Sequence, residues 1–180
     1  MLRITLPAIE EWDEVNEQFI QAKEQTLCLE HSLVSLSKWE SKWHKAFLSN
    51  KPKTDEEVLD YIKCMTITQN VPPDTYDRLT KENLEEINRY IEDPMTATVI
   101  NEDGTTKKSR EVVTAELIYY WMTALQIPWE CQKWHLNRLI TLVKVCNVKN
   151  SPPKKRSARD IMSRNAKLNA ARRKQFNSRG

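Results

Sequence analysis

Glycine is almost missing: the 180 residues hold only two, Gly104 and Gly180. A loop that cradles phosphate needs several backbone amides with no side chains in the way, so GxGxxG and GxxxxGK[ST] are excluded. A GxSxG nucleophile elbow is excluded on the same ground. No apolar run approaches the roughly 18 residues that cross a bilayer. Residues 1–11 carry one base, Arg3, and no apolar core of signal-peptide length. The four cysteines, Cys28, Cys64, Cys131 and Cys146, fall at no paired spacing. Without a secretion signal, reduced thiols in a cytosol are expected, each acting as a small buried hydrophobe.

The few histidines limit the chemistry further. Cys28-x-x-His31 and Cys131-x-x-x-His135 supply the ligand types that zinc prefers. The second pair can share a helix face, but on a strand Cys28 and His31 point to opposite sides. The spacing fits no standard finger, so neither a metal nor any other cofactor is expected. His44 and His135 lie beside Trp and Lys on amphipathic stretches, and Glu56/Glu57 and Glu85/Glu86 sit at helix starts or on exposed faces. No set supplies a nucleophile, a base and a group to orient it, which predicts a protein that is not an enzyme.

What is present is charge, unevenly divided. Of 28 bases and 25 acids, ten bases and one acid, Asp160, lie in residues 151–180. The first 150 residues therefore hold 18 bases and 24 acids. An acidic body joined to a basic tail marks a segment that works by contacting something else. Lys154, Lys155 and Arg156, and then Arg172, Arg173 and Lys174, suit phosphates through salt-sensitive contacts. The tail has only Phe176 to stack on bases and no base-reading motif, so nucleic acid is the weaker reading. An acidic protein surface, including the body of another copy, serves as well.

Periodicity predicts a mainly helical α+β fold. Residues 2–6 and 25–31 alternate as strands, while Ile9, Trp12, Val15, Phe19 and Ile20 between them are spaced as a helix. From Ser32, Leu33, Leu36, Trp39, Trp43 and Phe47 mark an amphipathic helix that ends near residues 49–52. Thr54 with Glu57 forms a capping box for a helix carrying Val58, Leu59, Ile62 and Met65. A turn at 70–74 precedes a helix from Thr80 or Lys81 to Asp93. Residues 95–100 are β-prone, and Asn101–Gly104 predicts the turn of a minor hairpin returning through 105–108. Helices follow over 111–127 and from Pro128 to about Asn147. The organisation is thus a body over 1–148 with its strand element at about 1–31, a linker at 149–153 and a basic tail over 154–180. The tail's thin stripe of Ile161, Met162, Leu168 and Phe176 predicts a helix that orders on a partner.

Six tryptophans are many for this length. Most are expected in a helical core, but exposed aromatic patches mark protein contacts. Trp39 with Trp43, and Trp129 with Trp134, are the candidates for a partner surface, with the tail bases as auxiliary contacts. Met65, Met95, Met122 and Met162 would make such a surface adaptable.

Four stretches carry a resemblance: Glu-His-Ser-Leu-Val-Ser-Leu-Ser-Lys-Trp-Glu-Ser-Lys-Trp at 30–43, Asp-Tyr-Ile-Lys-Cys-Met-Thr at 60–66, Glu-Cys-Gln-Lys-Trp-His-Leu-Asn-Arg-Leu at 130–139 and Leu-Asn-Ala-Ala-Arg-Arg-Lys at 168–174. Together they resemble the tail assembly chaperones of long-tailed bacteriophages, encoded ahead of the tape-measure protein. The resemblance covers most of the chain. It implies a holdase, acting in the cytoplasm of the infected bacterium, that binds the long helical tape-measure protein. Such a holdase keeps its client soluble until major tail protein polymerises around it, and it is absent from the finished virion. It also implies a longer frameshifted product, with Lys154-Lys155 or Lys107-Lys108 as places for an A-rich slippery run. The rival expectations are a virion structural component, in the tail or connector, and a nucleic-acid-binding protein acting through the basic tail.

Overall fold

The computed structural model describes residues 1–13, 18–100, 112–151 and 158–177. Strand β1 (Leu2–Leu6) pairs antiparallel with β4 (Gln25–Leu29), placing Leu2 opposite Leu29 and Ile4 opposite Leu27. The alternation read from the sequence is realised: Ile4, Leu6, Leu27 and Leu29 are buried on one face. Between them lies a correction. In place of the helix expected from Ile9, Trp12, Phe19 and Ile20, β2 (Ile9–Asp13) and β3 (Gln18–Ala22) form a second antiparallel pair. The register gives the reason. Leu6 faces Gln25, so the intervening chain must return to where it left. A ribbon does this while pairing its own backbone, whereas a 12-residue helix would carry the chain about 18 Å away.

The body continues with helices α1 (Leu33–Trp43), α2 (Asp55–Met65), α3 (Lys81–Glu92), α4 (Ala115–Ala124) and α5 (Leu136–Asn150). Short 3₁₀ turns at Pro73–Arg78 and Trp129–Lys133 precede α3 and α5. Ser32, Thr54 and Thr80 cap α1, α2 and α3 with capping boxes, and the Thr114 side chain caps α4. The fold is mainly helical α+β, as the periodicity predicts.

Three boundaries differ from expectation. Helix α1 stops at Trp43, because His44 adopts the left-handed conformation at φ 52°; Phe47 lies outside it. Residues 95–100 form no strand, and the predicted hairpin turn at Gly104 lies outside the described residues. The long helix expected from Pro128 is broken before Leu136. There His135 bridges Ser32, and the Leu136 amide donates to the His31 carbonyl at 2.7 Å, so tertiary pairing overrides helix propensity.

Helix α1 is shared between two cores. Trp39 belongs to a core with Ile4, Leu6, Leu27, Tyr61, Ile62 and Ile87, whereas Leu33 and Leu36 belong to one with Ile118, Met122, Leu136 and Leu139. Contacts divide the chain into two units, Met1–Val148 and Lys149–Gly180. The second unit contains helix α6 (Ala158–Phe176), whose large apolar groups Ile161, Met162, Leu168 and Phe176 are all exposed. Among the described residues no helix is long and apolar enough to cross a membrane.

Candidate functional site

The body carries a mainly apolar groove of about 460 Å³ lined by Leu48, Val112, Val113, Trp121, Ile140 and Val143, with Ser49, Asn50, Lys144 and Asn147 as polar members. Its construction starts at the end of α1. The His44 amide donates to the Glu40 carbonyl, which closes the helix and turns the chain. The buried Glu40 carboxylate then fastens two segments. One oxygen accepts the Phe47 amide at 2.8 Å and the other accepts the Ala115 amide, the first of α4, at 2.7 Å. A carboxylate at a helix N-terminus satisfies an orphan amide and meets the positive end of the dipole. Phe47 stacks on Tyr61 with ring centroids 3.8 Å apart, anchoring the stretch that presents Leu48. Leu48 and Val112 remain exposed, 37% and 54%. The volume falls within the range of ligand sites, and its apolar lining with few polar groups suits a partner's apolar side chains.

The tryptophans picked out by the sequence do not form one surface. Trp39 is 1% exposed, donates its indole N–H to the Glu57 carbonyl at 2.8 Å and packs against Trp43, Phe47 and Tyr61. It is a core residue, which corrects its assignment to a partner surface: helical spacing records only that a face is apolar. Trp43 is half-buried, and its indole donates to Asp60 at 2.9 Å. Asp60 also pairs with Lys42. Burial alone would raise the Asp60 pKa, but these hydrogen bonds outweigh it and hold the carboxyl below its ordinary value. Trp134 is half-buried under the Arg138 guanidinium, 4.2 Å from its centroid. Trp129 is 55% exposed and lies outside the groove lining, against the Tyr119 ring at 5.7 Å. Arg172, Arg173 and Lys174 are exposed on α6, while Lys154, Lys155 and Arg156 lie outside the described residues. Trp121 of α4, outside the set picked out by the sequence, is the tryptophan that lines the groove.

His31 and His135 are buried together. His31 Nδ1 lies 2.6 Å from the Tyr61 hydroxyl, and the His31 and His135 ring centroids are 5.1 Å apart. The Asn137 amide points to His135 Nδ1, which assigns the proton to Nε2, where it is donated to the Tyr90 carbonyl at 3.0 Å. Burial, reinforced by His135, lowers the His31 pKa to about 3. Burial lowers that of His135 as well. Both rings are therefore neutral and join the two cores. Burial pushes the Cys64 and Cys131 thiols up, the direction opposite to that of a reactive thiolate. Among the described residues no three His, Cys, Asp or Glu side chains are grouped so as to hold a metal ion.

No family model, curated protein or solved structure matches the chain.

Proposed function

We propose that this chain is a bacteriophage tail assembly chaperone that binds the helical tape-measure protein and keeps it soluble while the tail is built. The observation that supports this reading is the mainly apolar groove whose lining includes exposed Leu48 and Val112, on a chain of which 29% of the residues are charged. A helical client lays its i, i+3, i+4 and i+7 anchors into such a cleft, and burying each large anchor contributes roughly 1.5–3 kcal/mol before ordering costs. The charged surroundings keep the loaded complex in solution. In this reading the protein performs no chemistry, acts in the cytoplasm of the infected cell, hands its client to major tail protein and leaves before the particle is complete.

Site-specific photo-crosslinking during co-expression with the tape-measure protein tests it. A crosslinker placed at Leu48 or Val112 is expected to capture the tape measure, and one placed at Glu85 on α3 is expected not to. Equal capture at all three positions, or none, would overturn the assignment of the groove. Several copies of the chain in purified particles would favour a structural virion protein instead.

A further inference from the structure

We propose that α6 docks on the aromatic patch formed by α4 and the Trp129 turn of a second copy of this chain. On a helical projection Ile161, Met162, Leu168 and Phe176 fall within an arc of about 120° that also contains Arg172, and Arg159, Arg164, Lys167, Arg173 and Lys174 lie outside it. All ten side chains are exposed. A helix whose apolar face carries a base within it and bases beside it requires a partner face that is both apolar and acidic.

Three surfaces of the body compete for it, and they differ in charge. The exposed side of α3 offers Glu82, Glu85, Glu86 and Glu92 but no large exposed apolar group within the helix. The groove between α4 and α5 is apolar, yet its charged lining residue is Lys144, the wrong sign for a basic helix. The α4–Trp129 face meets both requirements. Tyr120 is 65% and Trp129 55% exposed, and Tyr119 lies against Trp129 with its hydroxyl on Gln132. Exposed Glu116, one turn from Tyr120 on α4, and exposed Glu130, next to Trp129, supply the acids. Lys133 of the same turn lines a different cleft, with Lys38 and Cys64. Exposed Tyr and Trp are the residue types that concentrate binding energy at interfaces, and arginines stack on their faces.

The contact requires no client, so its failure and the failure of the chaperone reading are distinguishable. A single helix on a patch of this size belongs to the weak class of interface, to be examined by sedimentation velocity of the full chain up to roughly 200 µM. Self-association is expected, weakened about tenfold on raising salt from roughly 50 to 500 mM. Two variants break opposite sides: Tyr120→Ala/Trp129→Ala removes the patch, and Met162→Asp/Phe176→Asp removes the helix face. Each alone is expected to be monomeric, and an equimolar mixture is expected to associate again, because each supplies the side that the other lacks. Charge reversal by Glu116→Lys/Glu130→Lys is expected to weaken association about tenfold with folding intact. A monomeric wild type, including one whose α6 docks within its own chain, would overturn the proposal. So would association unchanged by either variant, or a monomer whose tail instead binds DNA in a salt-sensitive way.

Discussion

Glu40 on α1 accepts the backbone amide of Ala115 at 2.7 Å, although 75 residues separate the two. The same carboxylate accepts the Phe47 amide, so one side chain fastens both the segment before Leu48 and the start of α4. Glu40→Ala leaves two buried amides without an acceptor and is expected to cost about 3 kcal/mol. Glu40→Gln keeps one carbonyl acceptor but turns an NH₂ toward an amide donor, and is expected to cost about 1–2 kcal/mol. Urea denaturation measures both, and faster hydrogen exchange at Phe47 and Ala115 would place the loss at this joint.

The buried imidazoles make stability fall in mild acid. His31 titrates near 3 in the folded chain, against an ordinary 6.5, so below pH 6.5 the unfolded state binds a proton that the folded state refuses. Stability is complete above that pH and is lost progressively toward pH 3, by about 2 kcal/mol at pH 5 from His31 alone. His135 acts in the same direction, since its pKa is also lowered. The groups around the pair are Tyr61, Tyr90, Glu30, Asp93 and the Met1 amine. Glu57 and Asp60, whose pKa values are lowered from 4.5 and 3.8, lose their contribution only below those ordinary values. Urea midpoints at pH 7 and pH 5 check the claim: His31→Asn is expected to flatten the dependence, and an unchanged slope contradicts it.

Trp39 and Trp129 are expected to behave oppositely. Trp39→Ala empties a buried site and removes an indole hydrogen bond, which costs about 3–5 kcal/mol. Trp129→Ala, on an exposed turn, is expected to change stability by less than about 0.5 kcal/mol. Trp39→Phe is expected to leave client binding intact once folding is restored at lower temperature. Parallel melts and pull-downs of the three variants separate core from contact.

The sequence is legible where the determinants are local. Ser32, Thr54 and Thr80 announce helix starts because a capping side chain acts within three residues, and β1 and β4 alternate because one face meets the core. The β2–β3 pair is hidden in the sequence because Ile9, Trp12 and Phe19 fit a helical spacing, while the constraint that closes the ribbon lies at Leu6 and Gln25. The break before α5 depends on His31, more than 100 residues upstream. The groove was illegible for a related reason. Trp39 and Trp43 stand out by size, but the groove is built from Leu48, Val112, Ile140 and Trp121, ordinary core-type residues that come from three segments of the chain.

Exposed groove residues are expected to matter for the client and not for the fold. Leu48→Asp and Val112→Asp are expected to change the urea midpoint by no more than the equivalent of about 1 kcal/mol, since both side chains face solvent in part. Each introduces a charge that a bound apolar side chain would have to desolvate, which is expected to weaken client binding at least about tenfold.

The most direct measurement is the soluble fraction of the tape-measure protein co-expressed with the wild-type chain, with Val112→Asp, or alone. The tape measure is expected to be soluble and to co-purify with the wild type, and to aggregate with the variant as it does alone. A tape measure equally soluble in all three cases, or insoluble in all three, would contradict the account.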